Sequence, residues 1–418
     1  MRRTTLSYGL MLALLCLTTG IQAGVALSNV KVQQRYPWNG KVDISFNLAG
    51  TRTNNAVTIT ALDTATGRML NVRTLYDDNG QLVLPPVNMA PGKHRIVWDA
   101  DTDVEAGFKT ESLAVTVSAG KYYYHPLYCV VDISGGATAT HYPVTYLDSV
   151  PEGGWTDEYK TQKIVLRFIP AGRFIEGPND GTTWFADNTS REVTLTQPFY
   201  MAVFETTQAQ WKNVTGSTSG GKGMDDAYVG GGKRPQRVWL TTVRGKDANL
   251  AWPTSREVDE GTFMFLLRQK TSMAGFEIPT EAQWEYACRA GTSDNTVYTL
   301  DFEYYSWGEI ILKDVGLYAP NAWGLYDMLG NVGEWTIDKC ETSYGYEPVV
   351  DPLGPLDVVG IGSGPYYSSG IIMRCLRGRP TPGGKQFAAR FRHMAYDSSG
   401  GTTDQIAAGF RIILQLEH

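Results

Sequence analysis

The residues best suited to chemistry lie in one stretch, residues 321–335, which reads NAWGLYDMLGNVGEW and is called the central stretch below. Its three glycines predict tight backbone turns, yet most of its other side chains are too apolar for a solvated loop. Asp327 and Glu334 flank a turn at Gly330 and Asn331. Two carboxylates and nearby turn carbonyls are the hard oxygen ligands that calcium prefers. The alternative is that Asp327 caps a turn and Glu334 pairs with an arginine.

A second acidic run, DADTDVEAG, resembles the start of an EF-hand loop. Asp99, Asp101 and Asp103 occupy its first, third and fifth positions. The sixth position, however, holds Val104 rather than glycine, and the twelfth holds Thr110 rather than glutamate. The run therefore favours a solvated loop over a calcium site.

Other catalytic signatures are missing from the sequence. Its five histidines are scattered, and between residue 163 and residue 415 only His393 occurs, which excludes a three-histidine iron site in that region. No Gly-x-Ser-x-Gly nucleophile elbow is present. The glycines at 230–232 before Lys233 lack the spacing of a phosphate-binding loop.

The motif GLYDMLGNVGEW closely resembles the GLYxxxGNxxEW signature of the formylglycine-generating enzymes, the sulfatase-modifying factor family. Four further motifs match this family in order along the chain: IPAGRFIEG, VTLTQPFYMAVFETTQAQW, FEIPTEAQWEYACRAGT and AAGFRI. The resemblance covers about residues 163–415. It implies a loop-rich α+β fold of the C-type lectin type. It also implies a structural calcium ion held by Asp327, Gly330, Val332 and Glu334.

The same resemblance argues against the family's chemistry in this chain. The family's enzymes oxidise a substrate cysteine to formylglycine with two copper-binding cysteines five residues apart. Aligned through RFR at residues 390–392, those two positions fall on Gly383 and Ala388. Neither side chain carries a thiol, so copper is not expected here. Cys288 matches a family disulfide position whose partner position is His393, so that bridge is not expected either.

The sequence before the family-like region predicts a separate domain. Residues 24–119 contain short runs of alternating apolar residues separated by turn signals, the pattern of an immunoglobulin- or fibronectin-like β-sandwich. Residues 120–162 are predicted to form a bridging segment that packs this sandwich against the second domain. Residues 163–415 form the sulfatase-modifying-factor-like domain, and residues 416–418 read as the remnant of an expression tag.

Three helices are predicted within the second domain. Thr206 is suited to be an N-cap residue, and residues 259–270 have a helical apolar face. Thr280 and Gln283 form the S/T-x-x-E/Q pattern of a capping box, which predicts a third helix starting there.

Residues 1–23 have the pattern of a signal peptide, with Arg2 and Arg3, a short apolar run and small residues near Ala23. The run is too short for a comfortable transmembrane span, and no later stretch is long enough. We therefore expect a bacterial protein that is exported to the periplasm, the cell surface or the medium. Losing two positive charges changes the formal charge from −6 to −8, which disfavours nucleic acid as a partner.

Four cysteines remain after such cleavage, and disulfides among them are plausible outside the cytoplasm, with three possible pairings. They are Cys129, Cys288, Cys340 and Cys375.

These observations favour an exported, non-catalytic protein that acts as a binding or structural module for an unidentified protein, peptide or glycan. Aromatic loop residues either stack on such a ligand or fill gaps in a loop-rich core. They are Tyr304, Tyr305, Trp307, Tyr344, Tyr346, Tyr366 and Tyr367. The alternative is an enzyme of the same superfamily with altered chemistry that assists maturation of a secreted partner.

Overall fold

The computed structural model describes most of the chain. The described residues are 15–18, 25–35, 39–51, 53–65, 68–70, 72, 74–83, 87–104, 110, 112–121, 125–177, 189–221, 230–292, 298–299, 312–339, 345–354, 373–378, 386–387, 393–396 and 408–416. The chain divides into two compact units, residues 1–125 and residues 126–418.

The first unit consists of strands and one short helix. They are β1 (Leu15–Thr18), β2 (Val25–Gln34), β3 (Lys41–Gly50), β4 (Asn55–Asp63), β5 (Arg68–Leu70), β6 (Leu75–Tyr76), β7 (Leu82–Val83), β8 (Val87–Met89), β9 (Gly92–Asp99), α1 (Ala100–Asp103) and β10 (Leu113–Lys121). Within the described residues these strands form two sheets. One has the order β1-β10-β4-β5 with β8 also paired to β4, and the other has the order β2-β3-β9-β6-β7.

Alternating side chains explain how this unit holds together. Along β3, Val42, Ile44, Phe46 and Leu48 are buried while the residues between them are more exposed. β4 alternates in the same way, and buried residues of both sheets belong to one hydrophobic cluster. Because side chains alternate along each strand, each sheet has one apolar face, and the apolar faces of the two sheets pack against each other.

The segment predicted as a signal peptide contributes β1, which pairs in parallel with β10. The chain described here still carries this segment, and an apolar stretch can add to an available sheet edge. The rest of residues 1–23 lies outside the described part of the chain.

The acidic run at residues 99–103 does not fold as an ion-binding loop. Residues Ala100–Asp103 form α1, and Asp99 pairs with Lys41. Asp103 accepts hydrogen bonds from the backbone N–H of Thr74 and from Trp98 Nε1, both at 2.8 Å. These two carboxylates are therefore occupied by contacts within the first unit.

The second unit mixes sheets and helices, which confirms the predicted α+β character. Its strands are β11 (Tyr128–Asp132), β12 (Val144–Leu147), β13 (Lys163–Ile169), β14 (Gly172–Glu176), β15 (Arg191–Leu195), β16 (Phe199–Ala202), β17 (Phe276–Glu277), β18 (Tyr298–Thr299), β19 (Gly333–Lys339), β20 (Val349–Val350), β21 (Met373–Arg377), β22 (Gln386–Phe387), β23 (His393–Tyr396), β24 (Ala408–Gly409) and β25 (Ile413–Gln415). Its helices are α2 (Glu158–Thr161), α3 (Gln208–Thr215), α4 (Leu240–Val243), α5 (Lys246–Ala251), α6 (Phe263–Thr271) and α7 (Glu281–Arg289).

Two sheets of this unit position the central stretch. The larger has the order β12-β11-β13-β16-β25-β17, and a smaller one has the order β23-β21-β19-β24. The predicted bridging segment, residues 120–162, supplies β11 and β12 to the larger sheet. β11 lies between β12 and β13, and four of its five residues are buried, so it forms part of the core of the second unit.

Each of the three predicted helices begins directly after a threonine N-cap residue. The predicted capping box at α7 is confirmed, because the Thr280 side chain accepts from Gln283 N–H and the Gln283 side chain accepts from Thr280 N–H. For α3 the N-cap is Thr207, one residue after the predicted Thr206, since Thr207 has the side chain that reaches Gln210 N–H. Helix α6 starts at Phe263, behind the N-cap Thr262, rather than at residue 259.

Candidate functional site

The side chain of Asn321 anchors the start of the central stretch to the end of helix α7. Its Nδ2 donates to the carbonyl oxygens of Ala287 at 2.8 Å and Cys288 at 3.2 Å. Its Oδ1 accepts from the backbone N–H groups of Trp323 and Leu325 at 3.0 and 3.1 Å. One amide therefore fixes both the first turn and its docking to the helix.

The backbone of the central stretch turns where residue types permit it. Gly324 and Gly330 have φ values of 78° and 102°, as their predicted turns require. Gly333, the third glycine, instead begins strand β19. Asp327 and Asn331 have φ values of 55° and 53°, a region that Asp and Asn enter more readily than other non-glycine residues.

Asp327, the first predicted calcium ligand, is buried in this turn region. Its Oδ2 accepts a hydrogen bond from the backbone N–H of Gly316 at 2.6 Å. Burial raises the pKa of the Asp327 carboxyl, while the Gly316 N–H acts in the opposite direction. The carboxylate thus links the central stretch to the loop that precedes it.

Glu334, the second predicted carboxylate ligand, lies on β19 and pairs with Arg411. Arg411 Nε donates to Oε2 at 2.7 Å and Nη2 donates to Oε1 at 2.5 Å. The indole Nε1 of Trp284 also donates to Oε2, at 2.7 Å. Both side chains of the ion pair are essentially inaccessible to water. This geometry is the arginine alternative stated for Glu334.

Glu205, which was not among the predicted site residues, organises the same region from the segment between β16 and α3. Glu205 is fully buried. Its Oε2 accepts from Asn331 Nδ2 at 2.6 Å and its Oε1 accepts from Val332 N–H at 3.0 Å. In the sequence Glu205 lies within the family-like motif VTLTQPFYMAVFETTQAQW, as a charged residue between an apolar strand and a helix cap. Such a residue reads equally well as part of a solvated turn.

Glu205, Asp327, Glu334 and Arg411 form what we call the central cluster. Burial raises the pKa of the Glu205 carboxyl well above its usual value, and the carboxylates of Asp327 and Glu334 raise it further. Three carboxylates thus face one guanidinium, with Lys160 favouring the ionised form of Asp327 more weakly. Such an excess of buried negative charge is costly unless a proton or a cation compensates it.

The central cluster offers calcium hard oxygen donors and excess negative charge, as a calcium site requires. Within the described ranges, no three His, Cys, Asp or Glu side chains come close enough together to hold a metal ion. A calcium ion there would therefore draw on backbone carbonyls as well as Asp327 and Glu334. It would also have to share Glu334 with Arg411.

Strand β21 is the last described strand before Gly383 in the sequence, one of the two positions where the family's enzymes have copper-binding cysteines. Arg377, at its end, is buried and pairs with Glu281 at 2.9 Å and with Glu285, both on helix α7. Gly378 follows with φ 77°, and its carbonyl oxygen accepts from Gly330 N–H at 2.9 Å. A Cβ on Gly378 would lie 3.0 Å from the Met328 carbonyl oxygen, and with the positive φ this close approach favours glycine at this position.

Gly383 and Ala388 lie outside the described residues, as does most of the aromatic loop set. Tyr346 is the described member of that set, and it is 72% exposed. The described thiols offer no nucleophile, because burial raises the pKa of Cys129 and of Cys288 to about 12. Cys375 is disulfide-bonded.

In the described part of the chain, no helix has both the length and the apolar character needed to cross a membrane.

Comparison with known proteins identifies relatives of this chain. The chain is 26% identical over 230 residues to the formylglycine-generating enzyme of Mus musculus, covering 45% of this chain and 61% of that protein. It is 24% identical over 251 residues to the inactive C-alpha-formylglycine-generating enzyme 2 of Bos taurus, covering 48% of this chain and 79% of that protein. The chain thus spans about three fifths of the length of the mouse enzyme.

Two solved structures are also similar. PvdO from Pseudomonas aeruginosa aligns with a TM-score of 0.42 and 22% identity, over 60% of this chain and 94% of that chain. Treponema denticola variable protein 1 aligns with a TM-score of 0.41 and 23% identity, over 61% and 96%.

The family model described as "Sulfatase-modifying factor enzyme 1-like domain" matches residues 156–416, which is more than half of the chain. The matched range ends one residue after the predicted boundary at residue 415 and begins seven residues before the predicted boundary at residue 163. The protein therefore belongs to the formylglycine-generating enzyme (sulfatase-modifying factor) family, through its C-terminal domain.

Proposed function

We propose that this protein is an exported, non-catalytic member of the family that acts as a binding or structural module. The observation that carries the proposal is the pair Gly383 and Ala388, which stand where the family's enzymes have their copper-binding cysteines. A hydrogen atom and a methyl group cannot ligate a cuprous ion, so we expect no copper in this chain.

Two further observations support a scaffold kept without its chemistry. The family includes a relative that is itself named inactive, the Bos taurus protein. The buried ion pairs Glu334–Arg411 and Arg377–Glu281 connect elements distant in the chain. They stabilise the fold whether or not the protein has catalytic activity. A fold held together by such pairs can keep its core when the residues at two catalytic positions change.

For location, we propose the periplasm, the cell surface or the medium. The signal-peptide pattern of residues 1–23 supports export. The disulfide at Cys375 supports it independently, because structural disulfides persist mainly in oxidising compartments.

For architecture, we propose an immunoglobulin-like β-sandwich followed by a domain of the C-type lectin type. The two sheets that share one hydrophobic cluster support the first assignment. The sandwich would then display the second domain to its partner, which we propose to be a protein, a peptide or a glycan. The 72% exposed Tyr346 supports such a role, since exposed aromatic rings stack on sugars and peptides.

We also propose one structural calcium ion, held by Asp327, Glu334 and the carbonyl oxygens of Gly330 and Val332. The excess negative charge of the central cluster supports it. Calcium supplies no chemistry in this proposal and contributes stability alone. Nothing in the fold requires that the ion take part in ligand binding.

One activity assay tests the proposal that the protein is non-catalytic. The full chain is incubated with copper and a peptide carrying the Cys-x-Pro-x-Arg motif of sulfatases, and mass spectrometry follows loss of the thiol. A family enzyme with both cysteines serves as the positive control. We expect no conversion. Conversion above the copper-only blank would replace this proposal with the alternative, an enzyme that assists maturation of a secreted partner.

A further inference from the structure

Strand β10 is paired on both sides, by strands that differ in their expected fate. On one side all 9 of its residues, Leu113–Lys121, pair antiparallel with β4. On the other side Ala114–Val117 pair in parallel with β1, Leu15–Thr18, and no other described strand pairs there. Because β1 lies in the predicted signal peptide, residues 1–23, cleavage would leave the backbone N–H and C=O groups on this side of β10 without a strand partner.

The edge that cleavage would open lacks the features that usually protect the edge of a sheet. Natural edge strands are protected by charged side chains, bulges or short length. Residues 113–119 of β10 read LAVTVSA, with no charge, and they pair with β4 without a shift of register. By contrast, the edge strand β2 of the other sheet has a register shift between Ser28 and Lys31. β2 is thus protected by an irregular register and a lysine, whereas residues 113–119 have neither.

The core of the first unit holds this edge in place without β1. Val115 and Val117 are fully buried and belong to the hydrophobic cluster shared by the two sheets. The ladder to β4 continues beyond the segment paired with β1, to Leu113 at one end and Lys121 at the other. An incoming strand would therefore find β10 already extended, which lowers the entropic cost of binding.

We infer that, in the mature protein, this side of β10 is an acceptor edge that binds an extended, uncharged segment of a partner polypeptide in parallel. The inference rests on the proposed export, because cleavage of the signal peptide is what opens the edge. β1 shows the chemistry of such an occupant, since its sequence, LCLT, has no charge and it runs parallel to β10. In this mode of recognition main-chain hydrogen bonds supply affinity, and alternate side chains supply specificity.

This geometry selects among the partner classes proposed above. A glycan has no N–H and C=O groups at the spacing of a strand, so it cannot continue the ladder. A second copy of this chain, paired through its own β10 about a two-fold axis, would run antiparallel, whereas β1 runs parallel. An extended segment of another protein satisfies both conditions.

Peptide binding to the mature chain tests the inference. The probe is the peptide of residues 13–20 with Cys16→Ser, a fluorescent label and a lysine tail for solubility. We expect residues 24–418 to bind it. The uncleaved chain, residues 1–418, should bind it at least about tenfold more weakly, because β1 occupies the edge at high effective concentration. Equal affinity of the two chains, or binding by neither, would overturn the inference.

Two N-methylated versions of the probe provide a matched control. The N–H groups of alternate residues in a strand point to opposite sides, so only one set faces the neighbouring strand. Methylation at positions 15 and 17, or at positions 16 and 18, therefore removes donors from opposite sides of the probe. One version should bind residues 24–418 at least about tenfold more weakly than the unmethylated probe, and the other should keep its affinity. Equal binding by the two versions would contradict a strand ladder.

Hydrogen exchange separates this inference from the proposed export. Amides of Ala114–Val117 that face β1 should exchange faster in residues 24–418 than in residues 1–418, and the probe should slow them again. Protection in residues 24–418 that grows with protein concentration, without probe, would identify a second copy as the occupant and overturn the inference. Intact mass of the chain recovered from an exporting bacterial host tests cleavage separately. An uncleaved product would refute the proposed export, whereas the two purified chains measure the edge itself.

Discussion

Glu334 and Arg411 lie 77 residues apart in the chain, and Arg411 binds the Glu334 carboxylate through two nitrogens, at 2.7 and 2.5 Å. The pair joins strand β19 to the chain just before β25, and thus connects the smaller sheet to the larger one. Arg411 also donates to the carbonyl oxygens of Ala202 and Tyr326, both at 3.0 Å. The guanidinium is therefore a buried junction between β16, the central stretch and β19.

Breaking this pair should destabilise the second unit strongly. Arg411→Met leaves the Glu334 carboxylate buried with only the Trp284 indole, and such an uncompensated charge costs about 3–5 kcal/mol. Urea unfolding measures the loss. The double variant Arg411→Met/Glu334→Gln should lose less than the sum of the single variants, because it removes the stranded charge.

An exposed ion pair provides the control for this prediction. Arg173 and Glu192 lie 3.8 Å apart, and the Arg173 side chain is 51% exposed. Glu192→Gln should change the free energy of unfolding by less than about 1 kcal/mol, because water screens such pairs. Equal losses from the buried and exposed pairs would mean that Arg411 is not the junction proposed above.

Calcium removal should lower the stability of the second unit. Chelation of a chain held at a hundredfold excess of calcium over Kd should remove about 2.7 kcal/mol of stability, measured as a fall in Tm. Asp327→Ala should abolish the response to chelation, whereas Asp314→Ala, on the neighbouring loop, should keep it. An unchanged Tm on chelation, with metal analysis finding no calcium, would discard the site.

At position 205, the neutral substitute glutamine should destabilise the protein less than alanine. The pKa of Glu205 is raised by burial and by two neighbouring carboxylates, so the folded protein binds a proton at Glu205 more tightly than the unfolded chain does. Glu205→Gln keeps an oxygen for one of the two donors, Asn331 Nδ2 or the Val332 N–H, and should therefore cost less than Glu205→Ala. Glu205→Ala removes the partner of the buried Val332 N–H and leaves Asn331 Nδ2 only its 3.3 Å bond to the Lys313 carbonyl oxygen, and it should cost about 2–4 kcal/mol. Equal unfolding free energies for the two variants would contradict this role.

Asp338 should make stability depend on pH. Burial, then the nearby Glu281 carboxylate, raises the pKa of Asp338 to about 7, while its bond from Glu281 N–H at 2.5 Å and Arg374 oppose the rise. Between about pH 4 and pH 7 the folded chain binds a proton that the unfolded chain releases. The contribution of this group to stability is therefore complete below about pH 4 and declines as pH rises, by at most about 1.4 kcal/mol per pH unit.

The substitution Asp338→Asn isolates that effect. Asparagine mimics the protonated carboxyl, so the variant should lose part of the slope and be the more stable chain at pH 8. Urea unfolding at pH 5, 6, 7 and 8 measures both slopes, with Glu192→Gln as the exposed control. A slope unaffected by Asp338→Asn would show that Asp338 does not bind the extra proton.

Restoring the two thiols should restore copper binding. The double variant Gly383→Cys/Ala388→Cys places soft ligands at the family's spacing, and it should bind Cu(I) more tightly than wild type or either single variant. Competition with a coloured Cu(I) chelator measures the affinity. No gain in the double variant would mean that residues 383 and 388 do not lie side by side, and the alignment behind the non-catalytic proposal would have to be revised.

Sequence alone determined the family, because five ordered motifs specify one scaffold, and it determined local features such as the α7 capping box, which depends on residues three apart. It also predicted that Asp327 and Glu334 belong to one region. Tertiary structure alone decided their partners. Arg411, just before β25, and Trp284 of α7 bind Glu334, while Glu205, just after β16, binds Asn331 and Val332. Long-range pairing of buried charges leaves no periodic trace in a sequence. The strand-like pattern of residues 127–133 was visible in the sequence, but its place inside the larger sheet was decided by the tertiary structure, since β11 becomes a core strand only when β13 lies beside it.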